Sequence, residues 1–189
     1  MRVALRDHTS DLASYLPEFK SRPLSFHEVG GLPSRTLRGC QLAPPRDLRQ
    51  CNLAFLFAYD IFPPAILEFF GEWQLEGREM REGDVIVQQA QVPPGWGVRL
   101  ILGVRVLWVY RDERRAGFSY GTLTGHPETG TNEFSFSMSD GGIAAAVHTV
   151  AAPALPLARL LAPVFTNRYI AFCNRQALQR METTFLERN

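Results

Sequence analysis

Bulky apolar and polar side chains alternate most cleanly between Gly117 and Met138. Gly117-Phe118-Ser119-Tyr120-Gly121-Thr122-Leu123 reads as a strand, and Asn132 to Met138 reads as a second one. In the second, Phe134, Phe136 and Met138 share one face, while Glu133, Ser135 and Ser137 share the other. Between them, Thr124 to Thr131 carries two glycines, a proline and three threonines, the composition of a turn-rich loop. Upstream, Asp84 to Val92 and the long Val98–Tyr110 run predict two more strands, with Gly103 as a candidate bulge. Arg111 to Arg115 forms a charged hairpin tip, and Pro93-Pro94-Gly95 a turn. Ser139-Asp140-Gly141-Gly142 is a hairpin signal leading into a return strand, Ile143 to Val150. That strand is rich in alanine, so it leaves room above its face.

Outside this run the period changes. Leu53, Phe55, Phe57 and Tyr59 alternate with smaller residues and predict a strand, although a buried helix gives a similar run. Pro63-Pro64 marks a helix start, and Ile66, Phe69, Phe70 and Trp73 then fall on one helical stripe that Gly77 ends. From Leu157 to Met181 the apolar residues Leu160, Leu161, Val164, Phe165, Tyr169, Phe172 and Cys173 keep helical spacing. Pro163 kinks or divides that helix, and Arg159, Arg168, Arg175 and Arg180 lie on its wet side. Residues 1–50 are broken by Pro23, Gly30, Gly31, Pro33, Pro44 and Pro45. They predict an irregular wrap containing a short helix after Ser10, interrupted at Pro17, and a strand from Arg35 to Leu42. Strands are thus segregated from the long helix. The expected fold is α+β, a curved antiparallel sheet with a C-terminal helix packed across one face. One domain spans residues 1–189, with its core in 51–189.

Composition narrows the partners. The 189 residues are 46% hydrophobic and 21% charged, as in globular domains, and a formal charge of +1 gives no electrostatic case for nucleic acid. Cys40, Cys51 and Cys173 form no CxxC pair, which argues against a zinc knuckle or a redox motif. No stretch is long and apolar enough to span a bilayer, and no signal-peptide pattern is present, so a cytoplasmic protein is expected. The number of copies is left open.

Gly117 to Glu128, GFSYGTLTGHPE, resembles the signature of the family called domain of unknown function 1990, with Arg105-Val106 in the preceding strand as in that family. The resemblance covers about Phe62 to Met181. Thr131-Asn132 replaces part of an acidic pair that the family more usually carries, and Ala152-Pro153 stands where Ser-Arg-Pro is more usual. The element order is similar to helix-grip folds, those of pollen allergens, lipid-transfer proteins and polyketide cyclases. In such folds a long C-terminal helix closes a cavity against a bent sheet.

That likeness implies a small apolar or amphipathic ligand held between sheet and helix. Phe134, Phe136 and Met138 would supply the apolar wall, and Arg105, Tyr120 and His148 the polar groups. The commoner role for any one of these is simply to fill the core. The alternative is a small-molecule hydrolase, cyclase or isomerase in which His126 acts as base, Glu128 orients it and Tyr120 donates a hydrogen bond. Equally, His-Pro-Glu is a good structural tie for a loop. No phosphate loop, dinucleotide fingerprint or serine elbow is present, and no cofactor is expected. His126, Glu128, Glu133 and His148 lack the spacing of a helical metal motif, so no metal is expected either.

Overall fold

The alternating segments assemble into one antiparallel sheet in the structure, a computed structural model that describes residues 1–92, 97–154 and 167–189. Its strands are β1 (Arg2–Ala4), β2 (Ser34–Ala43), β3 (Leu67–Gly71), β4 (Val85–Gln91), β5 (Arg99–Arg111), β6 (Arg115–Thr122), β7 (Glu128–Ser139) and β8 (Gly142–Pro153). Among the described residues the sheet has eight strands in the order β2-β8-β7-β6-β5-β4-β3, with β1 pairing β5. The β7–β8 ladder is unbroken from Glu128↔Pro153 to Ser139↔Gly142, closed by the predicted two-residue turn. Register shifts between Val106 and Trp108, and between Arg38 and Ala43, mark bulges that bend the sheet.

Both faces of the sheet are covered. On the concave side lie the segment from Leu48 to Phe62, with α2 (Ala54–Phe57), and the C-terminal helix α4 (Asn167–Arg188). Ala177, Leu178, Met181 and Phe185 of that helix reach the core, and the Phe185 ring stacks on Phe136 at 5.1 Å. On the convex side, the turn of 3-10 helix Thr9–Tyr15 and α1 (Leu16–Lys20) seal a second cluster of Leu12, Leu16, Phe19, Val85, Val87 and Ile101. Here Gly103 is a contact point. A Cβ on it would lie 2.2 Å from the Phe19 ring, so the missing side chain lets α1 sit directly on β5.

Several predicted elements differ. Asn52 to Tyr59 is α2 and its flanks, because it lies between sheet and helix and is buried on most sides. Tyr59 ends it with φ 65°. The stretch from Ile66 to Trp73 holds an edge strand, β3, and leads into the short α3 (Trp73–Glu76). β3 has apolar cover on both faces, which erased its alternation. β7 begins at Glu128, so the loop before it is shorter than Thr124–Thr131. Pro17 falls in the first turn of α1, where its missing N–H costs nothing. Residues 1–50 supply β1, α1 and β2, more regular structure than a wrap. The predicted turn Pro93-Pro94-Gly95, the Pro163 kink and the helical positions from Leu157 to Phe165 lie outside the described residues.

Candidate functional site

β4, β6 and β8 end, and β5 and β7 begin, at one end of the sheet. α4 reaches the same end, where the Tyr169 hydroxyl donates to the Gln91 carbonyl at 2.6 Å. We call this end the mouth. On the concave face behind it, register places Leu102 and Leu100 of β5 beside Gln88 and Ala90 of β4, and Tyr120 of β6 beside Asn132 of β7.

A chain of uncharged polar groups crosses this face. Asn174 Nδ2 on α4 donates to Thr149 Oγ1 at 2.9 Å; the Thr149 hydroxyl donates to Asn132 Oδ1, and Asn132 Nδ2 to the Tyr120 hydroxyl at 3.3 Å. From the other side, Gln88 Nε2 donates to the Tyr59 hydroxyl at 2.6 Å, and Tyr59 bonds Tyr120. The positive φ at Tyr59, a conformation costing about 1–3 kcal/mol, turns its ring among Phe62, Phe69, Phe118 and Tyr120. The Tyr120 oxygen thus meets Asn132 Nδ2 on one side and the Tyr59 hydroxyl on the other, one phenol of that pair donating to its neighbour. Burial, chiefly, pushes the Tyr120 hydroxyl up to about 12, so its proton is held at neutral pH.

Glu128 stands beside this chain. The unbroken β7 register puts it on the face of Gly130, Asn132 and Phe134, and its charge is felt by Tyr120 and by Cys173 of α4. Among the described residues its carboxyl has no hydrogen bond or ion pair, and burial alone raises it to about 7. The histidine two residues earlier explains how it is held. His126 Nδ1 accepts the Glu128 N–H at 3.1 Å, the His126 N–H donates to the Leu123 carbonyl at 3.0 Å, and Pro127 between them fixes φ. The GHPE turn is therefore a backbone clamp that delivers the carboxylate to the inner face.

The sequence-predicted site residues divide accordingly. Tyr120 and Glu128 meet on the concave face. His126 does not join them: it is 9% exposed, burial lowers it to about 4, and its imidazole senses the Met1 amino group. Its Nδ1 is committed to the turn, so the acid–base constellation with His126 as base is not assembled. Arg105 and His148 are corrected as well, because both point from the convex face. Arg105 Nη2 donates to the carbonyls of Lys20 and Arg22, closing the end of α1, and His148 Nδ1 meets Thr36 Oγ1 at 2.8 Å. Phe134 and Phe136 are fully buried and Met138 packs against the same cluster, so they are core and not an open wall. The segment from Leu48 to Phe62 fills the depth that a larger cavity would need. Clefts do open elsewhere: one of about 490 Å³ lies between Phe57, Trp73, Met80 and Tyr110, and its arginines are already engaged, Arg78 by Asp84 and Arg111 by the Arg49 and Cys51 carbonyls. Burial pushes the Cys173 thiol up to about 11, away from nucleophile chemistry.

Tyr59, Gln88, Asn132, Thr149 and Asn174 were not anticipated. Gln88 and Asn132 carried a signal: each is polar at an inward position of an otherwise apolar strand. Thr149, Tyr59 and Asn174 belong to the site only through tertiary contact.

The model of the family described as "Domain of unknown function (DUF1990)" matches residues 40–181. The chain belongs to this family. Among solved structures it is similar to Ara h 8.0201 (TM-score 0.54, 14% identity, 83% of this chain and 99% of that one). It is also similar to the solution structure of the KanY protein (TM-score 0.53, 10% identity, 82% and 98%). A third likeness is to the di-domain ARO/CYC StfQ from the steffimycin biosynthetic pathway (TM-score 0.53, 12% identity, 94% and 55%). At these identities the likeness establishes the helix-grip fold for this DUF1990 protein. A search of the curated proteins gave no match. Among the described residues, no helix is long and apolar enough to cross a membrane.

Proposed function

We propose that this DUF1990 protein binds a small amphipathic molecule at the mouth of its concave face. The observation that carries the reading is the polar chain through Tyr120 and Asn132, lying beside a Glu128 carboxyl that has no hydrogen-bond or ion-pair partner among the described residues. Glu128 is half-buried, and a carboxyl drawn partly out of water without a hydrogen-bond partner is costly, at about 1–3 kcal/mol when fully desolvated. A guest's polar end would complete it. Its apolar part would lie along Leu100, which is half-buried on the inner face beside Ala90. A deep, fully enclosed cavity is not part of this reading, since Phe134 and Phe136 are already covered. The hydrolase, cyclase or isomerase alternative is not favoured, because His126 is spent on the turn.

Native mass spectrometry of freshly purified protein tests the proposal, together with titration of a neutral lipophilic dye. A co-purifying adduct of a few hundred daltons, or saturable dye uptake with one site per chain, is the expected result. Absence of both across several extraction conditions would overturn it.

A further inference from the structure

The charge balance of the mouth narrows the guest. Glu128 is the one carboxylate that the β6 and β7 registers set on the inner face among the described residues, since Glu133 points outward and takes the Tyr110 hydroxyl at 2.6 Å. The groups facing it are Tyr120 from β6 and Cys173 from α4, with Asn132 and Thr149 behind them. His126 in its own turn is neutral and engaged. None of these is a cation. The arginine nearest in the strand pattern, Arg105, points away and is tied to carbonyls. Among the described residues, this acid lies beside hydroxyl, thiol and amide groups and has no counter-charge.

We infer that the guest carries a cationic, hydrogen-bond-donating head, an ammonium or an amidine-like group, and that Glu128 receives it. This rests on the binding proposed above and adds the class of ligand. Tyr120 and the polar chain would orient the head, and Leu100, half-buried on the inner face, would hold its apolar stem. Because burial raises Glu128 to about 7, it is mostly protonated in the empty protein below neutrality. An arriving cation favours the ionised form, so binding expels the proton from Glu128 to solvent.

The test compares decylamine, decanol and decanoate, three stems of equal length with cationic, neutral and anionic heads, by calorimetry on the whole chain. The natural sequence should prefer decylamine to decanol by about tenfold or more, and decanoate should bind most weakly. Near neutral pH, decylamine binding should release on the order of half a proton, read from the dependence of heat on buffer ionisation enthalpy. In Glu128→Gln, a near-isosteric change, the ratio of amine to alcohol affinity should fall to about one and the proton release should vanish. An unchanged ratio in Glu128→Gln, or a natural preference for decanol or decanoate, would overturn the inference while leaving the binding proposal standing. Failure of all three to bind would overturn both.

Discussion

The two titratable residues of the GHPE turn pull stability in opposite directions, which makes them separable. Glu128 is raised in the folded state, from 4.5 to about 7, so the native protein holds a proton that the unfolded chain has lost. Stability therefore falls as pH rises through that window. Glu128→Gln removes this loss. Its stability relative to the natural chain should grow by on the order of 1–3 kcal/mol between about pH 4.5 and 7, measured as the shift in urea midpoint at a series of pH values. His126 is lowered, from 6.5 to about 4, so its contribution is present above 6.5 and is lost as pH falls toward 4. His126→Ala leaves the Glu128 N–H without its acceptor and should cost about 1–3 kcal/mol at neutral pH, a deficit that narrows as the pH drops through the same window. If His126 were instead a catalytic base on a loosely held loop, its removal would leave the midpoint nearly unchanged.

At the level of elements, what could be read in advance depended on whether one face of an element meets water. β6, β7 and β8 kept their alternation and were legible from spacing alone. β3 was not: Phe69 faces the concave core and Phe70 the convex one, so the segment around Ile66 shows the crowded apolar run of a buried helix. α2 failed in the reverse direction, since Leu53, Phe55 and Leu56 all lie within the core and imitate a strand. Tyr120 and Glu128 drew attention in the sequence because they belong to an alternating strand and a recognisable turn. Arg105 and His148 were misplaced by one step of register, the step that turns a side chain to the other face. The second core, beneath α1, gives a test at this scale. Gly103→Ala places a methyl group against the Phe19 ring and should cost about 1–3 kcal/mol through overpacking. In a Phe19→Ala background the space is vacant, so the same change should cost far less. A double-mutant cycle by chemical denaturation should then give a coupling of about 1 kcal/mol or more. Additive effects would mean that α1 does not rest on β5 at this point.

For the whole molecule, the arrangement makes the first thirty residues part of the fold, although the family model begins only at residue 40. β1 pairs β5 at Arg99–Ile101, the stretch that β6 no longer reaches, since its ladder with β5 ends at Val104↔Thr122. Leu12, Leu16 and Phe19 cover Val85, Val87, Ile101 and Leu123, which would otherwise form an apolar face open to water. Arg105 and the Lys20 and Arg22 carbonyls lock the same piece in place. The N-terminal segment also lies beside the clamp that aims Glu128, with Arg22 Nη1 donating to the Thr124 carbonyl and Ser25 Oγ to Thr129 Oγ1. A chain that starts at Leu32 keeps β2, the concave core and α4, but loses all of these contacts. It should bind a hydrophobic dye on its convex face, lose cooperative thermal unfolding and show no preference for decylamine. A shortened chain that melts cooperatively and keeps that preference would mean that the concave half folds, and aims its carboxylate, without the layer behind it.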